Sequence, residues 1–148
     1  MTNFIRDVAH RVWIKDIKSG TYLDKESEFD SNFVLINNKK ISRVYLIATV
    51  IQTFENENIT YANITIDDGS ADIRVKAWND LDLIANLKIG DLILLIGKLR
   101  KYEDEIYIVP EIVKKVNPNW ELVHKGILLD KTQEVKEIVQ EPREIKFR

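Results

Sequence analysis

The sequence predicts an all-β fold, a small closed barrel of five strands with a short helix between the third and fourth and a helical C-terminal extension. Three observations carry this. A run of β-branched and aromatic residues without Gly or Pro, KISRVYLIATVIQTF at residues 40–54, is too long for an ordinary strand, and one bent strand serving two sheets is what a small barrel requires. An Asp68-Gly69 turn joins two alternating segments into a hairpin. The order after it is an apolar helical stripe closed by Gly90, then two more strand segments. At 148 residues the chain suits one core of ordinary size.

The elements follow in chain order. Residues 6–18 hold Arg6, Arg11, Lys15 and Lys18 among Val8, Val12, Trp13, Ile14 and Ile17, and read as a short strand or extended arm, with Trp13 packing it on the barrel. Residues 19–32 are polar and acidic and read as a loop, so residues 1–32 form an arm and loop packed on a barrel at 33–116. Within the barrel the first strand covers 40–54, a polar turn 55–58, the second strand 59–67 and the third 72–78. Asn79 or Asp80 is positioned to cap a helix whose stripe is Leu81, Leu83, Ile84 and Leu87. The fourth strand, 91–100, is apolar until its cationic end; residues 101–104 turn the chain into the fifth, 105–116. Beyond Pro118, residues 117–148 form an extension of one or two helices with Trp120, Val123, Ile127, Leu128, Val135 and Ile138 at loosely helical spacing.

The hairpin register follows from its pattern. Matching the apolar sets sets Ile66 against Ile73, Ile64 against Val75 and Ala62 against Ala77. The other face then pairs Thr65 with Arg74, Asn63 with Lys76 and Tyr61 with Trp78, gathering two cations and two aromatics on a surface that is not core. Lys98, Arg100 and Lys101 at the end of the fourth strand extend a cationic track. Tyr102 in the following loop and Tyr107 on the outward phase of the fifth strand add stacking candidates.

Composition narrows the chemistry. There are no cysteines, which removes disulfides, thiol nucleophiles and thiolate metal sites. His10 and His124 are far apart, outside any metal-ligand spacing, and read as exposed or hydrogen-bonded singletons; no metal or cofactor is expected. Asp67, Asp68 and Asp72 cluster at the tight turn, where turn chemistry accounts for them; with no partner base or phosphate loop, the expectation is a protein that is not an enzyme. A net charge of −2 excludes a uniformly basic coat while leaving local patches open. No apolar run reaches the length of a membrane helix and residues 1–20 do not read as a signal peptide, so the expected location is the cytoplasm, without membrane association.

Three strands, a helix and two strands with a long first strand is the pattern of the OB-fold, a five-stranded Greek-key barrel whose second and third strands bind oligonucleotides or oligosaccharides. The stretches ITIDDGSADIRVKAWND, IGDLILLIGKLR and EIYIVPEIVKKVNPNW, with RDVAHRVWIKDI near the start, resemble the OB domain of archaeal replication protein A, especially its smaller subunits. The resemblance implies a nucleoid-associated single-stranded DNA-binding protein of replication, repair and recombination, which joins other subunits of that kind through its C-terminal helix. The residues assigned to DNA are Trp78, Arg74, Lys76, Tyr61, Asn63, Lys98, Arg100, Lys101, Tyr102 and Tyr107; those assigned to a partner are Trp120, Val123, Ile127, Val135 and Ile138. Two features depart from the family. The loop between strands four and five reads Tyr102, Glu103, Asp104, Glu105, acidic where phosphate is to be met, and the 32 residues after Val116 are too few for the winged-helix domain of related small subunits. Two rivals remain at this level: an assembly subunit whose barrel mainly mediates protein association, and an RNA-binding OB module of the anticodon-recognition or cold-shock kind.

Overall fold

A computed structural model describes residues 8–23 and 32–140, with side chains through residue 130. The chain opens with β1 (Ala9–Arg11), α1 (Ile14–Ser19) and β2 (Thr21–Leu23), then β3 (Phe33–Ile36) and β4 (Lys39–Ile41). The barrel strands are β5 (Arg43–Glu55), β6 (Ala62–Asp67) and β7 (Asp72–Ala77), followed by α2 (Asp82–Ala85), β8 (Leu92–Tyr102) and β9 (Glu105–Lys115). A single helix, α3 (Pro118–Gln140), stands where one or two were expected.

The barrel closes because β5 belongs to two sheets. Its first half pairs antiparallel with β8 from Arg43 to Thr49, and its second half pairs antiparallel with β6 from Thr49 to Glu55. β6 pairs with β7, β7 meets β9 in a parallel contact at Val75 and Ile108, and β9 returns to β8, so the five strands form the closed OB barrel the element order predicts. Inward residues from every wall make the core: Val44, Leu46, Ala48 and Val50 of β5, Ile64 and Ile66 of β6, Ile73 and Val75 of β7, Ile93, Leu95 and Leu99 of β8, and Ile108 of β9. Five of the six predicted hairpin pairs are in the ladder, Ile66 with Ile73, Ile64 with Val75, Ala62 with Ala77, Thr65 with Arg74 and Asn63 with Lys76; Tyr61 and Trp78 lie just beyond its end, their rings 5.2 Å apart.

The turn of this hairpin also anchors the N-terminal segment. Asp67 accepts the Gly69 N–H through Oδ1 at 2.6 Å, and Gly69 takes φ +94°, a conformation that favours glycine. Asp68 is buried; its Oδ1 accepts from the Ser70 N–H and hydroxyl, and its Oδ2 accepts the Ile14 N–H at 3.0 Å, at the start of α1. Replacing Asp68 by alanine removes all three acceptor contacts and leaves the buried Ile14 N–H without its acceptor; a loss of about 2–3 kcal/mol in folding free energy is expected from urea denaturation, and asparagine, which can keep the Ser70 contacts but not the one to Ile14, should restore only part of it.

Several elements depart from the expected outline. The arm is not wholly extended: among its described residues only Ala9–Arg11 is a strand, pairing parallel to β5, while Ile14 and Ile17 turn into the core from helix α1. The helix is stable here because the Asp68 carboxylate and the barrel wall support it, a tertiary effect that no local propensity announces. Trp13 is half-buried at its N-cap. The loop expected over 19–32 contains β2, which pairs with β3; residues 24–31, including the acidic run, lie outside the described residues, as do residues 1–7 with Arg6. The long first strand breaks at Ser42, so that Lys39–Ile41 joins β3 in a separate three-stranded sheet. Neither Asn79 nor Asp80 caps α2 with its side chain; Leu81 is the N-cap, and the Asp80 carbonyl accepts the Leu83 N–H.

α3 packs against β5, burying His124 and Leu128. Of the two readings open for His124 the structure has the hydrogen-bonded one: the residue is buried, its ring lies 5.7 Å from Tyr45, its Nδ1 is 3.1 Å from Arg11 Nη1, and the Arg11 guanidinium sits 4.2 Å above the Tyr45 ring. The helical stripe is correspondingly rotated from the expected one. Trp120 and Val123 are exposed, Ile127 is half-buried, and Val135 and Ile138 lie on the helix with side chains outside the described residues.

Candidate nucleic-acid interface

One outer wall of the barrel carries a row of four aromatic rings. Phe54 near the end of β5 lies 6.2 Å from Tyr61, Tyr61 lies 5.2 Å from Trp78, and Trp78 lies 6.0 Å from Tyr107 of β9. The rings thus span the wall from β5 to β9, and Arg100 of β8, paired with Tyr107 across the next ladder, borders the end of the row. Phe54 is 52% exposed and Trp78 49%, while Tyr61 and Tyr107 are half-buried. Rings at these spacings and tilts present separate faces instead of stacking on one another, which leaves room for flat groups to lie against them.

Local structure fixes each ring. Asn56 organises the loop before β6: its Oδ1 accepts the Thr60 and Tyr61 N–H groups, its Nδ2 donates to Thr60 Oγ1, and its own N–H donates to the Tyr61 carbonyl. Asn63, only 8% exposed, donates through Nδ2 to the Tyr61 hydroxyl at 2.9 Å. Asn63 therefore positions Tyr61, and its own amide is covered. Tyr107 faces outward because Ile108 is fully buried and Ile106 packs on the core, as strand alternation requires.

Phe54 was not among the expected site residues. Alternation from Val44, Leu46, Ala48 and Val50 places it in the core, but the β5–β6 register shifts between Val50 and Gln52. Ile51 is the extra residue of a β-bulge, after which Phe54 stands opposite Asn63 on the outer face. Asn56 was also missed; an Asn beginning a polar turn was the available signal.

The cations are engaged differently from expectation. Arg74 Nε and Nη2 donate to the two Glu105 carboxylate oxygens at 2.7 and 2.9 Å, and Lys76 Nζ donates to Glu105 Oε1 at 2.8 Å. Lys76 Nζ also lies 4.5 Å from the Tyr107 ring centre, at the edge of the aromatic row. Partial burial raises the affinity of Glu105 for a proton, but the hydrogen bonds and charges of Lys76 and Arg74 outweigh it and hold this carboxyl below the usual range, so it is ionised at neutral pH.

The expected track of Lys98, Arg100 and Lys101 is split between two faces. Lys98, Arg100 and Tyr102 share the outward phase of β8. Lys98 stands 4.0 Å from Glu111, which Arg43 also holds at 2.7 Å, and Arg100 donates to the Leu99 carbonyl. Lys101 takes the opposite phase and lines a cleft of about 500 Å³ with Lys18, Tyr22, Arg74, Asp104 and Glu105. Tyr102, 67% exposed, ends β8 opposite Glu105 instead of standing in a loop. Trp120 lies on another face, lining an apolar groove of about 600 Å³ with Tyr45, Leu94, Ile96 and Ile112.

Comparison with known proteins agrees with this architecture. Over 118 residues the chain is 26% identical to an uncharacterized protein of Methanocaldococcus jannaschii, covering 78% of this chain but only 44% of that protein. In a structure of the S. pombe Stn1–Ten1 complex, one chain superposes with a TM-score of 0.75 at 14% identity, covering 89% of this chain and 96% of that one. A chain of a replication protein A heterotrimer bound to single-stranded DNA superposes with a TM-score of 0.69 at 16% identity, covering 87% and 98%. At these identities the two structures establish a shared fold. The family model described as the OB-fold nucleic acid binding domain matches residues 44–127, more than half of the chain and the barrel from Val44 of β5 through β9, and the chain belongs to that family.

Proposed function

We propose that this protein binds single-stranded DNA without catalysis, in the manner of replication protein A, and serves replication, repair or recombination in the nucleoid-associated cytoplasm. The observation that carries the reading is the row Phe54, Tyr61, Trp78, Tyr107 on the barrel wall. Unpaired bases expose flat π-faces, and half-exposed rings 5.2–6.2 Å apart offer successive stacking surfaces without selecting a base. Duplex DNA hides those faces, so the same row discriminates against it. Family membership and the ssDNA-bound neighbour support this choice of ligand.

Assembly with other subunits through α3 is part of the proposal. Trp120, Leu122, Val123 and Leu129 are exposed on that helix, and Trp120 continues into the apolar groove over β8 and β9. Such a concentration of apolar side chains suits a protein partner. It also favours a second reading, in which association is the main task and DNA contact is weak; both structural neighbours belong to multi-subunit complexes.

Fluorescence anisotropy of a labelled oligothymidine of about 30 nucleotides, in a salt series with duplex and RNA competitors, tests the reading. Saturable binding displaced by single-stranded DNA, and not by equal duplex, is expected. Displacement by RNA in preference to DNA would move the assignment to an RNA-binding module. No binding at low salt would leave the assembly reading in its place.

A further inference from the structure

The cations that sequence patterning assigned to phosphate already hold an anion. Glu105, the first residue of β9, brings its carboxylate to Arg74 and Lys76 of β7 because the two strands run parallel and adjacent, meeting at Val75 and Ile108. The Arg74 contact is a two-pronged one, Nε to one oxygen and Nη2 to the other. That fork is the geometry a guanidinium also uses on two oxygens of a phosphodiester. Lys76 completes the cradle from the side of Tyr107 and the aromatic row.

Resting on the single-strand reading above, we infer that Glu105 occupies a backbone-phosphate subsite: its carboxylate stands in for phosphate on Arg74 and Lys76, and the nucleic acid must displace it to use those cations. The device separates two contributions to binding. Stacking on the row is available at once, whereas the electrostatic contribution of Arg74 and Lys76 is largely cancelled until Glu105 swings away. Arg74 and Glu105 are both part-exposed, at 47% and 32% of their side-chain surface, so the carboxylate can leave and a phosphate can reach Arg74 without rearrangement of the core; Lys76, at 12%, is the more covered of the two cations. Native binding is accordingly base-directed and only shallowly dependent on salt, and a strand whose phosphates cannot reach the cradle loses little.

The experiment compares the native chain, Glu105→Gln, Glu105→Ala and Trp78→Ala on labelled oligothymidine across a salt series, with a second oligothymidine carrying neutral methylphosphonate linkages. Both Glu105 variants are expected to bind the ordinary oligomer about three- to tenfold more tightly at low salt. The slope of log affinity against log salt should steepen by about 0.7 to 1.4, corresponding to one or two added phosphate contacts. The gain should vanish on the neutral oligomer. Native-like affinity and slope in both variants, with Trp78→Ala still losing binding, would overturn this inference and leave the single-strand reading standing. Weaker binding by both variants, at unchanged melting temperature, would also overturn it, showing that Glu105 positions the cations for DNA. No binding by the native chain or either Glu105 variant would remove the underlying reading together with this one.

Discussion

Trp78→Ala is expected to weaken binding of single-stranded oligothymidine by about tenfold or more, the loss of one base stack of roughly 1–3 kcal/mol. Trp78 sits in the middle of the row, 5.2 Å from Tyr61 and 6.0 Å from Tyr107, so removing it also separates the remaining rings into a pair on one side and a single ring on the other. Phenylalanine at this position should retain most of the affinity, because it preserves a π-face. The ring is 49% exposed at the end of β7, and the fold should survive, with a change in unfolding free energy of about 1 kcal/mol or less. Anisotropy titration paired with thermal melting checks both halves. Unchanged affinity in a folded Trp78→Ala chain would remove the row as the binding surface.

Gly97→Val is expected to be the most damaging substitution for stability, at about 3 kcal/mol, with a fall in melting temperature of roughly 10 °C. A Cβ at this position would lie 2.5 Å from the Val109 carbonyl oxygen and 2.6 Å from Ile108 Cγ2, and one of those is backbone. The crowding has a cause. The β8–β9 register shifts at Ile96 and Gly97, where Glu111 is the extra residue of β9, so Gly97 stands opposite Pro110 and also opposite Val44 of β5. Pro110 is tolerated there because the bulge interrupts the ladder. Gly126, on α3 with nothing near its Cβ position, supplies the control: alanine there should stabilise the helix by a few tenths of a kcal/mol up to about 1. Urea denaturation of the two variants should move in opposite directions.

How much of this was legible in the sequence depends on how far each signal reaches along the chain. The hairpin register was readable because an Asp-Gly turn and six alternating positions lie within a few residues of one another, and every predicted pair inside β6 and β7 is present. The barrel was readable from the length of one strand and the order of the others. Phe54 was hidden because alternation is a parity argument, and a single inserted residue at Ile51 reverses parity. Glu105 was visible as an acidic loop residue, but its partners lie on β7, and nothing local reports a parallel contact between strands joined through a helix and another strand. The α1 helix failed for a related reason: its first N–H groups meet an acceptor from a turn over fifty positions away. His124 looked like an isolated histidine because Arg11 and Tyr45, the groups it packs with, come from the N-terminal segment and the start of β5, at the far end of the sequence from α3.

The bulge at Ile51 makes strand length a kind of reading frame. Residues before it are decoded with even numbers inside the barrel, as Val44 through Val50 show; beyond it Thr53 pairs with core residue Ile64 while Phe54 pairs with outward Asn63. One residue more or fewer between the bulge and Phe54 would shift that ring one place along β6, from opposite Asn63 to opposite Ala62 or Ile64, without altering the residue itself. The chemistry of this surface is thus specified by a count as well as by composition, and relatives that keep the aromatic residue but change the count would present a different face to whatever they bind.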